Sequence, residues 1–338
     1  MKAIHLIAAG AALTLAACSN DEMVQAPEAT PIGFDSYIGK TTRADDATLS
    51  NVKNITVYGY LGDAGAPKLF DGQIVSNTSG MWEYSPLQYW TAGKNYLFTA
   101  VASPASSGNN HYSYAWDDAR PTAIENFYGS GTIGFTNTPA AASGNEDLIY
   151  AYNTATTPTS LTDQPDRVPF AFKHALSRVM FTFKNAMASD AYTIKVYDLY
   201  IDNTASEGSL KLGEENPKWT TVGTTSLVLR PDYFVPKSGE AANNSQVASG
   251  TKFIIPETKA LTISFKIDLI VDKTTINTYT HSERVLPEVG FQNGYSYNFV
   301  AEITPKNIDP NKELFPILFD VTEVEGWKDA ADTPVTFE

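Results

Sequence analysis

In its clearest segments the chain sets apolar residues at every second position, the period of a strand with one buried face. From Leu261 to Val271, the residues Leu261, Ile263, Phe265, Ile267, Leu269 and Val271 alternate with Thr262, Ser264, Lys266, Asp268 and Ile270. The stretch Tyr295 to Ile303 repeats this through Tyr297, Phe299 and Ala301, and Val179, Phe181 and Phe183 do so earlier, as do Ile194 and Val196. The first half carries the same signal in shorter runs: Ile32, Phe34 and Ile38, then Ile55, Val57 and Leu61, then Asn95 to Ala102 between Gly93 and Pro104. Shorter strand candidates lie at 73–75, 81–86, 88–90, 133–137, 148–153, 209–212, 226–229, 252–255 and 316–321, and 274–280 pairs with the strand before it as a hairpin return. Turn residues separate these runs and none shows a helical period, so the expected fold is all-β and built of β-sandwiches.

Length divides the chain further. At 338 residues it exceeds what one core usually serves. The Pro-, Asp- and Thr-rich stretch Pro158 to Pro169 is the natural boundary. This gives an N-terminal β-sandwich over 31–165 and a C-terminal one over 166–338.

The first 17 residues stand apart. Met1 and Lys2 precede an apolar run from Leu6 to Ala17, too short to span a bilayer of about 30 Å and typical of a secretory signal. Leu15-Ala16-Ala17-Cys18 resembles the bacterial lipoprotein signal, cut between Ala17 and Cys18 with the thiol then acylated. An ordinary signal peptide is the alternative. Because Cys18 is the single cysteine, no disulfide partner competes for it. Three acyl chains, at about 0.8 kcal/mol per buried CH2, hold a protein on a membrane durably. Residues 18–30 read as a tether; the acidic pair Asp21-Glu22 resembles the short signals that route Bacteroidota lipoproteins to the outer face of the outer membrane, or is plain solvated linker.

A net charge of −14 argues against nucleic acid as a partner, which needs clustered Lys and Arg. Hydrophobic content of 43%, with 18 Tyr and 17 Phe, suffices for packed cores without disulfides. No catalytic, cofactor or metal site is expected. Gly129-Ser130-Gly131-Thr132-Ile133-Gly134 fits a dinucleotide fingerprint as a string but has no buried strand before it and no helix after it. His174 reads as a hydrogen-bonded structural residue, and His111, His174 and His281 lack ligand spacing. Asp117-Asp118 and Glu214-Glu215 read as solvated turns rather than glycosidase carboxylates. Trp82, Tyr84, Tyr89, Trp90 and Trp116 are either core rings or a stacking platform for sugars, and their exposure decides between the two.

Several short pieces in order carry a family resemblance: Ile32-Gly33-Phe34, Thr42-Arg43-Ala44, Trp82-Glu83-Tyr84-Ser85-Pro86 before Tyr89-Trp90, Phe172 to Val179, and Val324-Glu325-Gly326-Trp327. Together with the lipobox they resemble the fimbrillin family of Bacteroidota lipoproteins across nearly the whole chain. The resemblance implies two transthyretin-like β-sandwiches and a pilus subunit or adhesin of the outer-membrane surface. Its partners would be other fimbrial subunits, the outer membrane through the lipid anchor, and host or bacterial surface ligands. A non-polymerising glycan-binding lipoprotein is the alternative. The family's processing by a trypsin-like protease points to Arg43 and Ala44, the other reading being an ordinary exposed arginine. Losing the strand Ile32 to Ile38 would leave an open edge that another strand can repair. The candidate donor is Pro334-Val335-Thr336-Phe337, with Val335 and Phe337 as its apolar teeth; a strand kept within its own domain is the competing reading.

Overall fold

The computed structural model describes residues 30–38, 52–62, 68–78, 81–103, 112–117, 124–137, 146–161, 167–229, 234–235, 239–308, 317–322 and 328–329. Ala17, Cys18, Arg43, Ala44, Val335 and Phe337 lie outside these residues, as do His111, Asp118 and Trp327.

The first half contributes β1 (Phe34–Ile38), β2 (Asn54–Leu61), β3 (Lys68–Thr78), β4 (Met81–Glu83) and β5 (Asn95–Ala102). After these come β6 (Tyr112–Ala115), a 3-10 turn at Ile124–Asn126, β7 (Thr132–Thr136), β8 (Ile149–Thr156) and β9 (Val168–His174). The second half begins with β10 (Ser177–Asn185), β11 (Tyr192–Thr204), β12 (Glu207–Lys211), β13 (Trp219–Val222) and β14 (Thr225–Leu229). Short strands β15 (Phe234–Val235), β16 (Glu240–Ala241), β17 (Gln246–Ser249) and β18 (Lys252–Ile254) precede the long β19 (Leu261–Val271), β20 (Thr274–Val285) and β21 (Tyr295–Ile303). Two more, β22 (Phe319–Thr322) and β23 (Lys328–Asp329), complete the described elements.

Alternation does what it foretold. In β19 every odd residue from Leu261 to Leu269 is buried and the even ones are not. Across it, β11 and β20 pair antiparallel, giving the sheet β14-β11-β19-β20. This sheet packs on β15-β17-β10-β21-β22 around a core that includes Val179, Phe181, Phe183, Ile263, Phe265, Phe299 and Phe319. The C-terminal unit is thus a two-sheet sandwich.

The N-terminal unit is built differently. A seven-stranded sheet of order β1-β9-β8-β5-β2-β3-β4 curls until β1 comes against β4, and its inner face encloses its own core. Strand β9, beyond the boundary expected at 165, belongs to this sheet because Phe170 and Phe172 bury themselves with Phe34. On the outer face lies a four-stranded sheet, β13-β12-β7-β6, half of it drawn from the C-terminal half of the chain. Tyr112, Tyr114, Ile133, Phe135 and Leu210 of that layer cover Val101, Leu148 and Tyr150. Strand β5, with a core on each face, is buried from Tyr96 to Ala102.

The hairpin β12–β13 ties the halves together. Strand β12 pairs with β7 from Glu207↔Thr136 to Lys211↔Thr132. The Trp219 indole donates to the Ala175 carbonyl at 2.7 Å. Glu257 accepts from the Ala205 amide (2.9 Å) and the Thr221 hydroxyl (3.1 Å) and pairs with Lys259 (3.0 Å).

Candidate functional site

The feature that most needs a functional account is the seat of the first described strand. Two apolar teeth at i and i+2 put Ile32 and Phe34 on one face, and both are buried. The Phe34 ring stacks on Phe170 at 5.6 Å and meets Phe70 (5.4 Å) and Phe98 (5.9 Å) edge-on, with Tyr84 tilted against it at 5.7 Å. Offset and edge contacts of this kind add about 0.5–1.5 kcal/mol per pair beyond area burial.

The backbone of this segment closes the unit at two places. Residues 30–32 pair with 88–90: the Ile32 amide donates to the Gln88 carbonyl at 2.8 Å, the Trp90 amide to the Thr30 carbonyl at 3.0 Å, and Pro31 bridges Tyr89. Beyond Gly33 the strand changes partner. It runs parallel to β9 with Phe34 opposite Val168 and Ile38 opposite Phe172, and the Val168 amide donates to the Gly33 carbonyl at 2.9 Å. The Tyr84 hydroxyl donates to the Ile32 carbonyl at 2.8 Å. Burial pushes that phenol's pKa up, partly opposed by its hydrogen bond with Gln88.

Arg167 lies over the strand. It reaches Asp35 at 3.2 Å and covers Gly33, where a β-carbon would come 2.9 Å from the Arg167 Cγ. Glycine fits here because of the close approach of that side chain.

The other sequence candidates separate cleanly. Trp82 and Trp90 are core rings, and Tyr84 serves the strand just described. Trp116 is half-buried against Tyr58, Tyr60 and Tyr114, with Lys68 over its ring at 4.7 Å and its indole donating to Asp71. Tyr89 alone of the five is broadly exposed, at 46%, so these rings form no shared sugar platform. His174 meets the buried Asp147 carboxylate at 2.7 Å, and His281 meets Glu283 at 3.3 Å. Among the described residues no cluster of three or more His, Cys, Asp or Glu side chains is placed to hold a metal. Gly129 and Gly131, both at positive φ, open a turn into β7, a strand rather than a phosphate-binding helix. No described helix is long and apolar enough to cross a membrane.

Sequence reasoning singles out Ile32, Phe34 and the Tyr84 ring but not Arg167 or the rest of the ring box, because the ring partners of Phe34 lie from 36 (Phe70) to 136 (Phe170) residues away and leave no local signal.

Residues 42–315 match the family described as fimbrillin-like. In fold, the chain is similar to a candidate cell adhesion protein from Bacteroides ovatus, at 16% identity and a TM-score of 0.48, covering 88% of this chain and 98% of that one. It is similar also to a candidate polysaccharide-binding protein from Bacteroides thetaiotaomicron, at 11% identity and a TM-score of 0.44, over 88% and 98% of the two chains. A third similar structure is the fimbrial anchor protein Mfa2 from Porphyromonas gingivalis, at 12% identity and a TM-score of 0.40, again over 88% and 98%. A search of curated proteins by sequence returns no match.

Proposed function

The chain belongs to the fimbrillin-like family, and from that premise we propose that it is a surface-anchored fimbrial subunit or adhesin that assembles by strand exchange. One observation carries the reading. The segment 30–38 fills a seat with hydrogen-bonding walls on both sides and the Phe34 ring at its centre, and Arg43 follows only five residues after Ile38. Cleavage between Arg43 and Ala44 would cut the last covalent link between that strand and the unit it closes. The emptied seat would expose the places of Ile32 and Phe34, about 1.5–3 kcal/mol each, beside unpaired backbone groups, a state that a strand from another subunit relieves.

The donor in this reading is the segment with Val335 and Phe337, extended by Asp329 to Thr333. A subunit with a seat at one place and a donor at another makes a head-to-tail contact that grows as a fibre. Before cleavage, Cys18 carries the lipid that holds the chain on the outer membrane, and the cut releases lipid and strand together. Other fimbrial subunits are the partners, with surface ligands beyond them.

Protein recovered from surface filaments should begin at Ala44 on N-terminal sequencing. Deleting Ala331 to Glu338, or replacing Val335 and Phe337 by Asp, should leave a folded monomer by circular dichroism that no longer polymerises. Filaments built of chains that still begin at Cys18, or normal assembly by the truncated chain, would refute the reading. Cys18→Ser should abolish palmitate labelling.

A further inference from the structure

Exposed apolar side chains gather at one margin of the N-terminal unit. Of the eight large ones broadly exposed among the described residues, four fall between Ile74 and Tyr89, while Val222, Ile276, Val289 and Leu318 are scattered along the second half of the chain. Single exposed apolar residues are ordinary, whereas a group of them points to something that covers it. Leu87 and Tyr89 stand two residues apart with Gln88 half-buried between them and Trp90 buried beyond, so both project outward on one side. Ile74 joins them, because the Gln73 side chain donates to the Ser85 carbonyl at 3.4 Å and so holds β3 beside this loop. No acidic or basic side chain interrupts residues 84–93, and Glu83 and Lys94 bound them with opposite charges.

The loop is braced. Gln88 has both backbone groups paired, its amide donating to the Tyr84 hydroxyl (3.2 Å) and its carbonyl accepting from the Ile32 amide (2.8 Å), so it can enter a poorly hydrated layer without leaving a polar group bare. What this margin faces follows from where the chain leaves it. The Thr30 carbonyl accepts from the Trp90 amide at 3.0 Å, which brings the end of the N-terminal tether next to the loop. Thr30 is twelve residues beyond Cys18, and twelve residues span at most about 43 Å when fully extended. Acyl chains on Cys18 therefore keep a bilayer surface within that distance of Thr30, and the loop close to it.

Resting on the reading of Cys18 as the lipid-bearing residue, we propose that Leu87, Tyr89 and Ile74 form a membrane-contact face that seats the uncleaved chain on the bilayer surface. Leu87 enters the boundary between headgroups and acyl chains, and Tyr89 lies at headgroup level with its ring on lipid and its hydroxyl in water. So few side chains cannot hold a free protein on a bilayer. The lipid on Cys18 makes their contact intramolecular and raises its effective concentration to roughly millimolar. Cleavage after Arg43 removes the tether, and the face lets go of the membrane with it. Until then the anchored chain keeps one orientation on the leaflet.

The native thiol is acylated, so in Leu87→Cys the new thiol is the only one free to take a nitrobenzoxadiazole label. On vesicles of phosphatidylethanolamine and phosphatidylglycerol, lipids carrying a nitroxide near the headgroup should quench this probe by at least about twofold. The same probe in Ile276→Cys, a similarly exposed position of the C-terminal unit, should keep its emission. A probe in Ile74→Cys should be quenched too, and should recover when Leu87→Asp/Tyr89→Ser is added. Quenching at 87 no stronger than at 276 would overturn the proposal. A probe at 87 that is shielded in the absence of vesicles would overturn it as well, and would assign the face to another copy of the chain. A parent that takes up no palmitate would refute the anchor reading instead; the same probes, on chain held to chelating lipid by a histidine tag in place of Cys18, would then decide the contact.

Discussion

The two units of this molecule are each finished by a strand bearing a buried phenylalanine, and they differ in what that strand closes. Strand β22 extends one sheet at its edge, antiparallel to β21, while the Ile317 amide is held by Glu283 at 3.1 Å. Segment 30–38 instead joins two margins of a single curled sheet, antiparallel to 88–90 and then parallel to β9. Removing the first kind of strand uncovers an edge; removing the second opens a slot with donors and acceptors on both walls. The contrast separates core filling, which both phenylalanines do, from receptor geometry, which only the N-terminal seat has.

The sharpest way to break that contrast is to truncate the two rings in turn. Phe34→Ala and Phe319→Ala should each cost the uncleaved chain about 3–5 kcal/mol in denaturant unfolding. In assembled, trimmed protein Phe34→Ala should cost nothing, since that ring has left with its strand, while Phe319→Ala should still cost its full amount. Equal losses in both forms would mean that the N-terminal seat keeps its own strand.

A smaller effect appears at alkaline pH in both units, since burial also raises Tyr297 in the C-terminal core. Burial pushes Tyr58 and Tyr150 up to about 12 and raises Tyr112 and Tyr114 of β6 as well, all where the four-stranded sheet meets the seven-stranded one. Folding favours the neutral phenol, and the unfolded chain titrates near 10. Stability is therefore complete below about pH 10 and is lost as pH rises from there toward 12. Melting temperature should fall over that window, and Tyr150→Phe should flatten the fall. A flat profile to pH 11.5 would refute the burial of these phenols.

The smallest effect is that of the Arg167–Asp35 pair, which is roughly half exposed on both sides. Arg167→Ala should lower stability by less than about 1 kcal/mol, with the difference shrinking in high salt. A larger loss would make Arg167 a structural staple of the seat.

The strands that could be read from sequence are those whose two faces differ. Asn95 to Ala102, Leu261 to Val271 and Tyr295 to Ile303 run as expected to the residue. Of the cover layer, 133–137 and 209–212 are legible as β7 and β12, while β6 and β13 escape because Tyr-Ser-Tyr-Ala and Trp-Thr-Thr-Val are short and their apolar residues are too few to fix a period. The pairing of β7 with β12 that joins the layer crosses from one half of the chain to the other, which no local pattern records. Pro, Asp and Thr content puts a boundary at 165, whereas β9 stays with the first unit because Phe170 and Phe172 need its core. The strand with Ile32 and Phe34 was legible; the walls of its seat, set by Gln88, Trp90 and Val168, were not.

The crossing hairpin has a mechanical meaning. Were the units joined by one linker, tension entering at the N-terminal seat would pass to the sandwich through a single backbone. With β12 zipped to β7 over five residue pairs, Trp219 bonded to Ala175 and Glu257 holding both Ala205 and Thr221, the load is shared among several parallel paths. The units then cannot swing or separate until that ladder tears, so a pulled subunit resists stretching as one stiff body.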